Sequence, residues 1–159
     1  MTRQLWRIAA VTQDHAADDL SGQGAKATGG RWNARGTAVV YTSANIALAS
    51  LETLAHLELQ GLPLNRYLVR IDVPDDVDDA RTILAVPPGW DAQPYGLPSV
   101  QAGTAWCRAN ATALLEVPSV LVPEEVNVLI NPRHPDSARL RATVLRKWLA
   151  DPRVHVSRG

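Results

Sequence analysis

The segment Thr28-Gly29-Gly30-Arg31-Trp32-Asn33 decides how this chain is organised. It lies in residues 17–36, which are rich in Gly, Ser, Asp and Asn, and the presence of Trp32 predicts an ordered loop there rather than a linker. Paired glycines let a backbone approach a ligand or adopt positive φ. An arginine directly after them can grip a phosphate or carboxylate with its fork of donors. Two interpretations stay open: a ligand-binding loop, or a tight turn with a solvated Arg31 and with Trp32 in the core.

On either side of this loop, strands and helices interleave without a regular βαβ period. Apolar and β-branched runs predict strands at residues 5–8, 38–42, 66–73, 83–86, 119–122, 126–130 and 154–156. Helices are predicted at residues 45–60, 99–115 and 137–149, with Ser99 and Asp136 as candidate caps, and an acidic solvated turn at residues 75–79. No Gly-x-Gly-x-x-Gly opens a helix after a strand, which argues against a Rossmann fold. The prediction is one mixed α+β domain over residues 1–159.

Composition narrows the function classes. The 159 residues carry zero formal net charge, which argues against bulk nucleic-acid binding. Charged residues appear early and no apolar run approaches the length of a membrane span, so we expect neither a signal peptide nor a membrane segment. Cys107 is the only cysteine, which excludes an intrachain disulfide. A cytoplasmic protein is therefore expected.

The predicted helix at residues 45–60 is apolar nearly all round, which indicates a largely buried helix, except for a polar stripe of Asn45, Glu52 and His56. That stripe faces either water or a polar pocket. In a pocket, the Glu52 carboxylate can stabilise a developing cation or activate a nucleophile.

Three further polar or aromatic residues interrupt apolar runs. Tyr41 ends a predicted strand and is either a core residue or a flat surface for a ring. Ser119 is a lone hydroxyl among apolar residues, either satisfied by backbone or part of a site. Asn127 interrupts a strand in the same way. The four histidines show no zinc-ligand spacing with Cys107 and no Gly-x-Ser-x-Gly elbow exists, so we expect no metal site and no serine hydrolase.

These separate signals combine with several short segments: Trp6-Arg7, Ser21-Gly22-Gln23-Gly24-Ala25, Gly29-Gly30-Arg31-Trp32-Asn33, Gly36, Val40-Tyr41-Thr42-Ser43, Ala49-Ser50-Leu51-Glu52, Val117-Pro118-Ser119, Asn127-Val128-Leu129-Ile130-Asn131-Pro132 and His134. Together they resemble the RES domain, a family named after an Arg, a Glu and a Ser that match Arg31, Glu52 and Ser119. The resemblance extends from about residue 5 to about residue 135.

The resemblance implies a fold like that of ADP-ribosyltransferase toxins, with two small sheets flanking an NAD⁺-binding cleft. It also implies a toxin that cleaves the nicotinamide–ribose bond of NAD⁺, with NAD⁺ as substrate and no cofactor. Its partner would be an antitoxin with a helix-turn-helix domain, in a hetero-oligomeric complex. In that setting Glu52 would stabilise the ribose cation and Arg31 would hold a phosphate or the nicotinamide end. Tyr41 would stack on nicotinamide, Ser119 would hydrogen-bond its amide or a ribose hydroxyl, and Asn127 would support them.

Two alternatives remain at this stage. A mono-ADP-ribosyltransferase that modifies one protein would use the same residues, and only the acceptor of ADP-ribose would differ. A non-enzymatic binding domain would place Glu52 on the surface and Arg31 in a salt bridge. The sequence leaves the acceptor, the stoichiometry of the antitoxin complex and the roles of Arg35, Trp106 and His134 undetermined.

Overall fold

The part of the chain that the structure describes forms seven strands: β1 (Thr2–Ala10), β2 (Val40–Ser43), β3 (Arg66–Pro74), β4 (Thr82–Ile83), β5 (Leu114–Pro118), β6 (Val126–Ile130) and β7 (Arg141–Lys147). The computed structural model, which describes residues 2–57, 65–149, 151 and 153, joins them into one sheet in the order β4-β5-β6-β2-β1-β3-β7. Strands β4 and β5 are parallel, and the other neighbouring strands are antiparallel. The predicted α+β class is confirmed.

Four α-helices and a 3₁₀ turn complete the described chain: α1 (Gln23–Thr28), α2 (Ile46–Leu57), α3 (Asp75–Asp79), α4 (Leu97–Ala109) and the 3₁₀ turn Pro135–Arg139. Helix α2 begins where the Asn45 side chain accepts a hydrogen bond from the Leu48 amide at 2.8 Å. Helix α4 ends at Asn110, which adopts a left-handed conformation with φ of 55°. None of these helices is long and apolar enough to cross a membrane.

Helices α2 and α4 lie over the same face of the sheet. Trp106 and Cys107 of α4 pack with Leu115, Val117 and Leu129, whereas Ala49 of α2 packs with Ile8, Leu68 and Trp148. Trp6 and Ser43 are paired in register, and paired residues share a face. The opposite face carries the largest apolar cluster, which is centred on residues such as Leu5, Val69, Ile71 and Ile130.

The sheet is weakly joined in its middle. Strands β1 and β3 pair over nine positions, but β1 meets β2 only at Trp6 and Ser43. The two small sheets that the resemblance implied are therefore one seven-stranded sheet here, with halves β4-β5-β6-β2 and β1-β3-β7 that meet at one residue pair. A ligand site formed between α2 and the ends of β2, β5 and β6 would lie beside this junction.

The structure corrects the prediction of a helix at residues 137–149 with Asp136 as its cap. His134 caps a 3₁₀ turn instead, and residues 141–147 form β7 against β3. The apolar residues at positions 140, 144, 145 and 148 have the spacing of a helix face. In the structure they lie on or directly beside a strand with a bulge opposite Leu68 and Val69, where the extra residue Leu145 has no pairing partner in β3 and interrupts the alternation of the strand. Pairing with β7 satisfies the second edge of β3, whose inward side chains are fully buried.

Other boundaries also differ from the sequence predictions. The strand predicted at residues 119–122 is wrong, because β5 ends at Pro118 and a turn follows. Helix α4 begins at Leu97, so Ser99 lies inside its first turn and is not the cap, and residues 114 and 115 belong to β5. The acidic turn is a short helix, and α2 exposes two large side chains, Ile46 and Leu51. Residues 58–60 of the predicted helix and the strand predicted at residues 154–156 lie outside the described residues.

Gly103 sets the distance between α4 and the loop that contains Trp32. A Cβ atom at this position would lie 1.8 Å from the Trp32 carbonyl oxygen, which is backbone and has little freedom to move away. We expect Gly103→Ala to lower the free energy of unfolding by about 3 kcal/mol or more, the upper range for overpacked sites. Urea unfolding followed by tryptophan fluorescence measures this change.

Gly24 provides the matched control for that substitution. It lies in α1, and a Cβ atom there would meet nothing within 4 Å, so Gly24→Ala should stabilise the chain by up to about 1 kcal/mol. Equal stability of the two alanine variants would contradict the packing argument.

Candidate functional site

The Glu52 carboxylate lies on α2 at the centre of a hydrogen-bonded cluster. Its Oε1 atom accepts hydrogen bonds from Ser119 Oγ at 2.7 Å and from Asn127 Nδ2 at 2.8 Å. The side chain is half-buried, and its Oε2 atom has no hydrogen-bond partner among the described residues. One oxygen therefore fixes the orientation of the carboxylate, and the other remains available to a ligand.

Ser119 holds Glu52 from the end of β5. Its hydroxyl accepts hydrogen bonds from the amides of Leu121 and Val122, and its single proton is donated to Glu52. The Ser119 amide donates to the Glu125 carbonyl at 2.9 Å, which closes the turn between β5 and β6. Because Ser119 is fully buried, it acts through Glu52 in this structure, and its direct contact with a substrate stays a prediction.

Asn127 connects Glu52 to the adjacent strand. Its Nδ2 donates to Glu52, while its Oδ1 accepts a hydrogen bond from Ser43 Oγ at 2.7 Å. Ser43 and Asn127 are also register partners in β2 and β6. Ser43 is buried and is itself paired with Trp6 in the single pair that joins the two halves of the sheet, so the cluster ties α2 to this junction.

Arg31 lies on the loop between α1 and β2 and is anchored by backbone carbonyls. Its Nη1 donates to the oxygens of Trp90 and Ala92, both at 2.9 Å, and its guanidinium lies 5.9 Å from the centre of the Tyr95 ring. Burial lowers the pKa of Arg31, while Glu52 and Asp91 oppose this effect electrostatically. Arg31 nevertheless stays protonated, because the ordinary pKa of a guanidinium lies far above neutral pH.

The loop that carries Arg31 is fixed by Asn33 and Tyr41. The Tyr41 hydroxyl donates to Asn33 Oδ1 at 2.6 Å and accepts from the Trp32 amide at 3.0 Å. Gly30 lies against this hydroxyl, and a Cβ there would be 2.7 Å from it. Trp32 is buried and stacks on Trp90, so the core position that one of the two sequence interpretations gave to Trp32 is the observed one. The role of Tyr41 in stacking on a ligand ring stays a prediction.

The five candidate residues converge on one region. Glu52, Ser119 and Asn127 are hydrogen-bonded together, and Arg31 lies close enough to Glu52 to interact electrostatically, although the two form no ion pair. Arg31 Nε and Nη2 have no hydrogen-bond partner among the described residues. These two donors are therefore available to an anion, and the fork of a guanidinium suits a phosphate or a carboxylate.

Sequence reasoning assigned no role to several residues of this region. Ser43 lies two positions after Tyr41 on the same strand and therefore on the same face, a spacing that could have identified it. Trp90, Asp91 and Tyr95 come from the irregular segment after β4, and no pattern in the sequence brings its carbonyls to Arg31. Within the described residues, no group of three or more His, Cys, Asp or Glu side chains could hold a metal ion.

Comparison with known proteins identifies the family of this chain. The RES domain model matches residues 4–154, and the chain therefore belongs to the RES domain family. A protein named Prs ADP-ribosylating toxin from a Sphingobium species is 54% identical over 157 residues, covering 97% of this chain and 98% of the relative. A protein named Toxin Res from Pseudomonas putida is 38% identical over 142 residues, covering 88% and 92%. Another Toxin Res, from Yersinia enterocolitica, is 35% identical over 130 residues, covering 82% and 84%.

The Ser119 hydroxyl should be important for folding. Ser119→Ala leaves two turn amides and one Glu52 oxygen without their partner, so we expect a loss of about 1–3 kcal/mol in the free energy of unfolding. Urea denaturation measures the loss, with Thr2→Ala at an exposed position as the control. A Ser119→Ala variant as stable as that control would refute this role.

The buried Tyr41 hydroxyl predicts a pH-dependent stability. Burial raises the pKa of Tyr41 well above the ordinary value, so the folded state keeps a proton that the unfolded state releases above about pH 10. Stability should therefore fall as the pH rises past 10. Tyr41→Phe should cost about 1–3 kcal/mol at pH 8, because Asn33 Oδ1 and the Trp32 amide lose their partner.

The difference between the parent chain and Tyr41→Phe should then shrink above pH 10, since phenylalanine has no proton to lose. Denaturation curves of both chains at pH 8 and pH 10.5 measure this change. A difference that stays constant between the two pH values would argue against the buried, protonated hydroxyl.

Proposed function

We propose that this chain is a toxin that acts in the cytoplasm by cleaving the nicotinamide–ribose bond of NAD⁺. The observation that carries the proposal is the Glu52 carboxylate, which is fixed by Ser119 and Asn127 through one oxygen, left open at the other, and within electrostatic range of Arg31. Relatives named as toxins, one of them as ADP-ribosylating, support this direction. The fold analogy with ADP-ribosyltransferases is part of the same proposal.

The chemistry requires a carboxylate of this kind. When the bond between ribose C1′ and the nicotinamide nitrogen breaks, its electron pair leaves with nicotinamide, and positive charge develops on the ribose ring. A fixed carboxylate beside that ring lowers the energy of this oxocarbenium-like state. Nicotinamide departs as a neutral molecule from a cationic ring, so no general acid is required. One carboxylate can therefore suffice where most glycosidases need two.

The neighbouring residues have complementary roles in this proposal. Arg31 binds a phosphate or anchors the nicotinamide end through its Nε and Nη2 donors, because Nη1 is engaged by the Trp90 and Ala92 carbonyls. Tyr41 presents its ring to nicotinamide while its hydroxyl fixes the Arg31 loop. Ser119 and Asn127 hold Glu52 in the reactive orientation. NAD⁺ is the substrate, and no cofactor or metal takes part.

The acceptor of ADP-ribose defines the second candidate function. Water or phosphate as acceptor would deplete the cell of NAD⁺, whereas a protein side chain as acceptor would make the chain a mono-ADP-ribosyltransferase. The Sphingobium relative is named as an ADP-ribosylating toxin, which favours the latter for that protein. Glu52 would carry the same step in both cases, because the acceptor attacks C1′ only as the nicotinamide bond breaks.

The NAD⁺ content of cells after induction of this chain alone tests the proposal. Glu52→Gln keeps the size of the side chain and one acceptor oxygen but removes the charge, so it should slow cleavage by about 100-fold or more. Glu124→Gln, at an exposed position, is the matched control and should resemble the parent. A rapid fall in NAD⁺ that only Glu52→Gln prevents would support NAD⁺ cleavage.

The other outcomes are equally informative. Growth arrest with an unchanged NAD⁺ content, together with a cellular protein that becomes ADP-ribosylated, would favour the mono-ADP-ribosyltransferase function. If the parent chain changes neither NAD⁺ nor growth, or if Glu52→Gln is as toxic as the parent, the proposed reaction is wrong.

The proposal includes a partner that neutralises the chain. The RES resemblance indicates an antitoxin with a helix-turn-helix domain that covers the site or inserts a segment into it, in a hetero-oligomeric complex. Co-expression of the neighbouring open reading frame should then preserve NAD⁺ in the same assay. A complex in which Arg31 and Glu52 stay open to solvent would contradict this mode of neutralisation.

A further inference from the structure

The segment after β4 is an irregular loop that is held against the candidate site. The Leu84 amide donates to the Glu116 carbonyl, and two turns follow, from Trp90 to Pro87 and from Ala92 to Gly89. Trp90 stacks on Trp32 with 6.1 Å between ring centres. Arg31 Nη1 binds two carbonyls of the same segment, so an element without strand pairing of its own is fixed by the residues of the site.

Tyr95 is the aromatic residue that this loop presents at the site. Its side chain is 44% exposed, whereas Trp32 is buried and Trp90 is packed against it. The Arg31 guanidinium lies 5.9 Å from the Tyr95 ring centre, so a cation lies over one side of the ring. Tyr95 is also close enough to Tyr41 to influence it electrostatically. An exposed aromatic ring therefore lies beside Arg31, whose guanidinium is also within electrostatic range of Glu52.

We propose that the exposed face of Tyr95 is the surface on which a flat heteroaromatic ring of the substrate stacks, an inference that rests on the proposed function. An NAD⁺ molecule whose phosphate is held by Arg31 extends a ring in each direction from that point. Stacking on an aromatic side chain is tolerant of ring type, because every base offers a π-face. Adenine and nicotinamide share this chemistry, and the experiment below distinguishes them.

Steady-state kinetics of NAD⁺ cleavage by the purified chain test the stacking role. Tyr95→Ala should raise KM on the order of tenfold, within the range of base–aromatic stacking, with a much smaller change in kcat. Tyr95→Phe keeps the flat ring and should regain most of the lost affinity. Ile83→Ala removes a similarly exposed apolar side chain outside the site and should leave KM unchanged.

Binding measurements identify the ring. Calorimetry measures the affinity for ADP-ribose and for nicotinamide mononucleotide in two chains, one with Glu52→Gln alone and one with Glu52→Gln and Tyr95→Ala together. Weakened binding of ADP-ribose alone assigns adenine to Tyr95, and weakened binding of the mononucleotide alone assigns nicotinamide. If KM and both affinities are insensitive to Tyr95→Ala while the parent cleaves NAD⁺, the stacking inference is wrong and the proposed function stands. If the parent neither binds nor cleaves NAD⁺, the proposed function fails and the inference fails with it.

Discussion

The hydrogen bonds that converge on Glu52 Oε1 connect the two halves of the sheet, which the strand pairing itself joins weakly. Ser119 directly follows β5, Asn127 lies in β6 opposite Ser43 of β2, and Glu52 belongs to α2, which packs on the other half of the sheet. Apart from this cluster, the halves β4-β5-β6-β2 and β1-β3-β7 are joined by one residue pair, Trp6 with Ser43. The cluster thus has a structural consequence as well as a chemical one, because a displaced Glu52 would release α2 from the ends of three strands.

A second constraint acts on the loop before β2, where close packing leaves no room for side chains. Gly30 lies against the Tyr41 hydroxyl, and Gly103 of α4 lies against the Trp32 carbonyl. The backbone between these two contacts carries Arg31. Its direction is therefore set by steric exclusion on one side and by the carbonyls of Trp90 and Ala92 on the other. Without these contacts, fixing the long and flexible Arg31 side chain on ligand binding would cost rotamer entropy and so weaken the binding.

The success of the sequence predictions depended on how local the determining forces are. From Val69 to Pro74, strand β3 alternates between buried and partly exposed positions, and its predicted range of residues 66–73 differs from the observed Arg66–Pro74 by one residue. The prediction of a helix at β7 was wrong for two reasons. Its strand conformation depends on pairing with β3, about seventy residues away in the sequence, and its bulge disturbs the alternation of apolar and polar residues. For the site, the motif pattern selected Glu52, Ser119 and Asn127, which the fold brings together. The carbonyls that anchor Arg31 are backbone atoms of a loop, and no side-chain identity encodes them.

The charged groups of the site share one arrangement, in which neutral partners fix one end and leave the charge unneutralised at the other. Glu52 is oriented by a hydroxyl and an amide, not by a cation, and Arg31 is oriented by carbonyls, not by a carboxylate. An ion pair between them would fix both equally well, but it would have to be broken before either could serve a ligand. Preorganised dipoles that need no rearrangement are the efficient way to stabilise charge that develops during a reaction. Arg31 and Glu52 attract each other without forming an ion pair, so both remain available to the proposed substrate, which carries an anionic phosphate and would develop positive charge on its ribose.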